Sequence, residues 1–144
     1  MKSLAVPILI VCTAALSYAF AAAPPTDEAA QLKDISHFAL GSIGRAGIES
    51  EGEKAFREML RKPDAVQTFR EVLKNGTPAA RLYALCGIRL LKPEEFAASA
   101  ELVRNSDEKV TLIRGCIVAH EMLGKVAGEI GQGKYDEALK NPSR

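Results

Sequence analysis

The chain has no tryptophan, few aromatic residues and almost no net charge. Aromatic side chains make up 6% of its 144 residues, and 19 basic residues face 18 acidic ones, for a formal charge of +1. Nucleic-acid binding usually needs a basic face or stacked aromatic side chains, and this composition favours neither. We therefore predict no nucleic-acid partner. The 47% hydrophobic and 26% charged residues are typical of a folded globular chain.

Residues that ligate metals or act as nucleophiles are also scarce. With two histidines and three cysteines, a closed zinc site would use nearly every available ligand. His120-Glu121 begins like the H-E-x-x-H motif of zinc proteases, but Gly124 stands where the second histidine belongs. Neither C-x-x-C nor G-x-S-x-G occurs. We predict a non-enzymatic protein without catalytic residues, metal or cofactor.

The first 21 residues have the pattern of a secretory signal peptide. Lys2 precedes an apolar run from Leu4 to Leu16, and the small residues Ala19 and Ala21 stand just before the expected cut. The segment that follows is acidic and proline-containing and lacks the basic flank of a membrane anchor. The sequence predicts a secreted or periplasmic protein without stable membrane insertion after cleavage, with a signal peptide at 1–21 and a short tether at 22–27.

Helical periodicity and capping signals run through the rest of the chain. Ser50-x-x-Glu53 is a capping-box pattern, and Thr77-Pro78 is typical of a helix start. We predict a single helical domain over 28–140 with a tail at 141–144. The predicted helices cover 27–39, 51–62, 63–74, 78–91, 93–104, 108–123, 126–131 and 135–140.

The segment from Val110 to Val118 is ambiguous. Its β-branched residues suit a strand, but no second strand candidate is visible to pair with it. A lone strand would leave its backbone groups unpaired. We therefore predict a helix over 108–123 and an all-α fold, a small bundle of antiparallel helical pairs.

An internal repeat supports this expectation. A shift of 30 residues aligns Pro63 with Pro93, Glu71 with Glu101, Asn75 with Asn105, Leu82 with Leu112, and Cys86 with Cys116. In this layout, residues 63–118 resemble HEAT-type and armadillo-like helical repeats. The resemblance implies stacked helix pairs and a binding scaffold rather than an enzyme. The run 81–91, with Gly115-Cys116-Ile117-Val118, is also similar to small exported bacterial proteins that have no assigned activity.

Cleavage of the predicted signal peptide would remove Cys12 and leave two cysteines. Cys86 and Cys116 form an even pair in an oxidising compartment, which favours one disulfide. Packed helix axes are about 8–10 Å apart, whereas a disulfide needs Cα atoms within about 7 Å. The small neighbours Gly87 and Gly115 would allow the closer approach. We predict the disulfide, with two buried free thiols as the alternative.

A glycine-rich segment is the candidate binding loop. Gly41, Gly44 and Gly47 form G-x-x-G-x-x-G, with Ser42 and Arg45 between them. Backbone N–H groups in such a loop can hold an anion, although the spacing is that of neither a dinucleotide-binding nor a phosphate-binding loop. The alternative is a plain connection between helices.

Together these features predict an exported, non-enzymatic helical interaction module. It would bind a protein partner through helix faces or through the loop from Gly41 to Ser50. One alternative is a periplasmic inhibitor or immunity-type protein that acts against an exported enzyme. Another is a small-ligand carrier or an enzyme, which would gather His37, Arg45 or His120 around a pocket.

Overall fold

The computed structural model describes residues 27–141, so the predicted signal peptide, nearly all of the tether and the last three residues lie outside it. Its helices and strands follow one another along the chain as α1 (Asp27–Lys33), β1 (His37–Phe38), α2 (Glu51–Leu60), α3 (Ala65–Asn75), α4 (Pro78–Leu91), α5 (Pro93–Arg104), β2 (Lys109–Arg114), β3 (Ile117–Met122), α6 (Leu123–Gly131) and α7 (Asp136–Lys140).

The prediction of an all-α fold is wrong. Within residues 27–141, seven helices accompany a three-stranded mixed sheet in the order β1-β2-β3. β1 is parallel to β2, and β2 is antiparallel to β3. The segment predicted as a helix over 108–123 is mainly a β-hairpin. Its β-branched run contains two strands rather than one, because Gly115-Cys116 turns the chain in the middle and gives each strand its partner.

The hairpin also changes what the 30-residue shift aligns. The shift places α3 against α5, and both are helices, but it places α4 against the hairpin. Leu82 therefore lies in a helix, whereas Leu112 lies in β2. Over 63–91 the aligned segment consists of two helices in contact, α3 and α4, whereas over 93–118 it consists of α5 and most of the hairpin.

Local capping signals determine where two of the helices begin. The Thr77 hydroxyl accepts the Ala80 N–H at 3.2 Å, and α4 begins at Pro78 as predicted. The Ser50 hydroxyl accepts the Glu53 N–H at 3.0 Å at the start of α2. α1 ends at Lys33, earlier than predicted, because the chain then forms β1.

Helix α4 lies at the centre of the core. It contacts helices α1, α2, α3, α5 and α6 and strands β1 and β2. Most of its side chains are buried, as expected for a helix that is apolar on most faces. The buried Tyr83 ring packs edge-on against Phe38, with ring centres 4.8 Å apart, and lies 5.7 Å from Phe56.

Tyr83 also fixes the chain that leads into the glycine loop. Its hydroxyl donates to the Ala39 carbonyl oxygen at 2.7 Å and accepts the Ala39 N–H at 3.0 Å. The Ser50 hydroxyl donates to the same carbonyl at 3.1 Å. Burial raises the pKa of Tyr83 to about 12, so the phenol stays neutral and remains available as a donor. Both ends of the loop are therefore held by α4.

Candidate protein-interaction surface on the hairpin

The turn of the hairpin is set by one glycine. Arg114 pairs with Ile117, which leaves Gly115 and Cys116 as a two-residue loop. Gly115 has φ of +57°, and within residues 27–141 only glycines have positive φ. A positive φ at the first of two turn residues is typical of a type II′ turn, whose twist matches the strands it joins. Gly115 within the β-branched run is therefore a local feature compatible with a hairpin turn at this position.

The two faces of the hairpin differ in burial. On β2, Val110 and Leu112 are buried against the helices, and their partners across the ladder are Glu121 and Ala119. These residues form the inner face. Residues of the outer face alternate with them, because successive side chains of a strand point to opposite sides. The outer face consists of Lys109, Thr111 and Ile113 on β2 and Val118, His120 and Met122 on β3.

Strand β3 is an unpaired edge of the sheet that carries exposed apolar side chains. Ile117 is 70% exposed, Val118 60% and Met122 37%. Edge strands are commonly protected by proline, lysine or a bulge, and β3 contains none of these. We call residues Ile117–Met122, with this open edge, the β3 edge.

The hydrogen-bond register identifies the free backbone groups of the β3 edge. The Leu123 N–H donates to the Glu108 carbonyl at 2.9 Å, which continues the ladder beyond β3. Hydrogen-bonded pairs alternate along an antiparallel ladder, so residues 117, 119 and 121 direct their backbone groups to β2. Val118 and His120 direct theirs away from the sheet, as does the Met122 N–H, whereas the Met122 carbonyl begins α6 as its N-cap. The outward groups are available to a further strand.

The two histidines lie in one row across the outer face. Thr111 is the register partner of His37 on one side and of His120 on the other. The Thr111 hydroxyl is 3.2 Å from His120 Nδ1, and the Ser36 hydroxyl is 3.3 Å from His37 Nδ1. His37 also lines an open cavity of about 650 Å³ with charged residues of α1 and α2, but Arg45 and His120 are not among its lining residues. This cavity thus does not bring together the three residues of the carrier hypothesis.

The inner face of the hairpin end is anchored to the C-terminal segment. Arg114 donates to the Tyr135 hydroxyl at 2.5 Å and lies over its ring, 5.3 Å from the ring centre. The hydrogen bond to Tyr135 raises the pKa of Arg114. Burial raises the pKa of Tyr135. Burial alone would raise the pKa of Glu129. Its hydrogen bond with Lys134 at 2.8 Å and the nearby cations outweigh this effect and lower the pKa.

Beside this anchor is a small charged cleft of about 240 Å³ that reaches β3. Ile117 lines it together with Arg114 and the ion pair of Glu121 with Lys125, whose charged atoms are 2.7 Å apart. An exposed apolar side chain beside charged groups matches the composition of many protein interfaces. The cleft therefore extends the β3 edge onto the inner face.

The candidate binding loop uses its backbone groups within the chain. Gly41, Gly44 and Gly47 all have positive φ, so glycine suits each position. The Gly41 N–H donates to a Glu53 carboxylate oxygen at 2.9 Å, and the Gly44 N–H donates to the Gly115 carbonyl at 2.9 Å. The loop thus binds the chain's own carboxylate and packs against the hairpin turn.

The side chains of the loop remain exposed. Ser42 and Arg45 are open to solvent, and Ile48 is 59% exposed. Ile43 bridges both Ile48 and Gly115, so the loop extends the sheet at the turn end of the hairpin. The sequence-predicted loop is therefore a neighbour of the β3 edge, which sequence reasoning missed.

The structure does not form the predicted disulfide. Cys86 is buried in α4 and Cys116 is exposed in the hairpin turn, and both are free thiols. The helix expected to bring Cys116 onto α4 is a hairpin, and its turn lies at the surface. Burial raises the pKa of the Cys86 thiol far above its usual range. Neither the disulfide nor the alternative of two buried thiols describes this pair.

Metal-ligand clusters and long apolar helices are both missing from the described part of the chain. Within residues 27–141, no three His, Cys, Asp or Glu side chains are grouped to hold a metal ion. Over the same residues, no helix combines the length and apolar character needed to cross a membrane. A comparison with protein families, curated proteins and solved structures found no match to this chain. Function is therefore inferred from the surface itself.

Proposed function

We propose that this chain is a non-enzymatic protein-interaction module of an exported compartment, and that it binds a protein partner through the β3 edge. The observation that carries this proposal is the exposure of Ile117 and Val118, neighbouring apolar residues on an unpaired edge strand, at 70% and 60%. An unpaired edge strand offers backbone hydrogen bonds for affinity and side chains for specificity.

The rigidity of the surroundings supports the proposal. Arg114 is held by Tyr135, and the glycine loop is hydrogen-bonded to Gly115, so the β2 end of the turn is fixed to the rest of the chain. A preorganised surface loses less conformational entropy when a partner binds. The hairpin is thus suited to recognition rather than to a large conformational change.

Site-specific crosslinking in the native host tests this function. A photoreactive side chain at Ile117 should capture a protein, whereas the same group at Leu102 of α5 should not. Leu102 is the matched control because it is 66% exposed and lies away from the sheet. Equal capture at both positions, or none at Ile117, would contradict the proposal. An exported enzyme as the captured protein would identify the inhibitor or immunity-type form of this function.

A further inference from the structure

We infer that the partner of the β3 edge is a second copy of this chain, joined by antiparallel pairing of the two β3 strands about a twofold axis at His120. This inference rests on the proposed function, because it names the occupant of the same edge. It follows from the register, the apolar pattern and the charges of β3.

The free backbone groups of β3 are arranged symmetrically about His120. Val118 and His120 direct their N–H and C=O groups outward, and Met122 its N–H, whereas the Met122 carbonyl begins α6. With His120 opposite His120 of the second copy, Val118 is opposite Met122, and Met122 is opposite Val118. The His120 pair can exchange two hydrogen bonds and each Val118–Met122 pair can form one, about four in all. A twofold interface requires such self-complementarity.

The side chains on the outer face match in the same register. Val118 of one copy lies beside Met122 of the other, and Ile113 on β2 extends this apolar contact because it is the register partner of Val118. On the inner face, Glu121 lies opposite Ala119 of the second copy, so no like charges meet there. Glu121 already forms an ion pair with Lys125 of its own chain at 2.7 Å. The strand therefore accepts its own copy without burying an unpaired charge.

A single paired strand makes a small interface. It covers less than the standard area of about 1,600 Å², so the dimer should be reversible and dependent on protein concentration. Sedimentation equilibrium of the exported chain purified from its host is the appropriate measurement. We expect a monomer–dimer equilibrium whose dimer fraction rises with protein concentration.

Two variants locate the interface. Val118→Lys should raise the dissociation constant at least about tenfold, because it places a cation in the apolar contact. Leu102→Lys, the matched exposed control on α5, should leave the constant unchanged. Circular dichroism of each variant verifies that the fold is intact.

The outcomes separate this inference from the proposed function. A monomer at every concentration up to about 1 mM, with capture of a different protein at Ile117, would overturn the dimer and leave the proposed function standing. A dimer that is indifferent to Val118→Lys would also overturn it, because its interface would lie elsewhere. The absence of both dimer and capture would overturn both proposals.

Discussion

Gly87 determines how closely α3 and α4 can pack. A Cβ atom at this position would lie 2.5 Å from Cδ2 of Phe69. Phe69 is fully buried, and its ring centre is 5.7 Å from that of Phe56, so it has little room to move. The residue is thus required for its lack of a side chain rather than for its backbone freedom, because no positive φ occurs there.

Replacing Gly87 with alanine should lower the free energy of unfolding by about 1–3 kcal/mol, because the added methyl overpacks the core. Gly128 in α6 is the matched control, since its Cβ would meet nothing within 4 Å. Gly128→Ala should raise the free energy of unfolding by up to about 1 kcal/mol through better helix propensity. Urea denaturation measures both, and changes of the same sign and size would contradict this packing explanation.

At the scale of elements, one buried ion pair joins α2, the glycine loop and α7. Glu53 is fully buried and pairs with Arg57, one turn further along α2. Its other carboxylate oxygen accepts the Gly41 N–H, and Arg57 donates to the Ala138 carbonyl at 3.0 Å. Glu53 occupies the capping-box position but is directed to the loop and to Arg57.

Changing Glu53 to glutamine should lower the free energy of unfolding by about 2 kcal/mol, because Arg57 loses its buried counter-ion and keeps only the more exposed Glu49, 3.2 Å from its Nε. Glu58→Gln is the control. Its pair with Arg61 lies in the same helix but is exposed, so the effect should stay within about 0.5 kcal/mol. Chemical denaturation compares the two, and amide hydrogen exchange should show α7 losing protection in the Glu53 variant. Equal stability of the two variants would contradict a structural role for this pair.

At the scale of the whole molecule, the two thiols differ in their access to solvent. Cys86 lies on α4, at the centre of the core, and is fully buried, whereas Cys116 is exposed at the tip of the hairpin. The raised pKa of Cys86 keeps its thiol protonated, and burial blocks access to it. A reagent can reach Cys86 only when the core opens.

Native labelling with a maleimide should therefore modify Cys116 quickly and Cys86 only at the rate set by unfolding. Peptide mapping by mass spectrometry distinguishes the two sites. Urea should accelerate the modification of Cys86 while leaving that of Cys116 nearly unchanged. A chain in which neither thiol reacts until a reductant is added would contain the disulfide after all and would contradict the free thiols.

The raised pKa of Cys86 also gives a sign for the pH dependence of stability. The unfolded chain releases this proton near the usual thiol pKa of about 8.5, whereas the folded chain keeps it at higher pH. The contribution of Cys86 to stability is therefore complete below that pH and decreases above it.

Features that depend on near neighbours in the chain could be predicted. Thr77 and Pro78 set the start of α4, and the apolar character of the following residues placed this helix in the core. Such signals act within one helical turn, through capping hydrogen bonds and side-chain periodicity. The glycine loop could also be predicted, because backbone positions with positive φ are mostly occupied by glycine.

The contacts between helices and strands depend on the folding of the whole chain. Pairing of His37 with Thr111 joins segments far apart in the chain, and no local pattern specifies a two-residue strand such as β1. The β-branched residues of 110–118 indicated a strand. The partner of that strand begins within the same run of residues, because Gly115 turns the chain in its middle. The destination of the Glu53 carboxylate and the exposure of Cys116 followed from that turn. Contacts between distant segments depend on how the whole chain closes its core, and this is why they could not be derived from spacing alone.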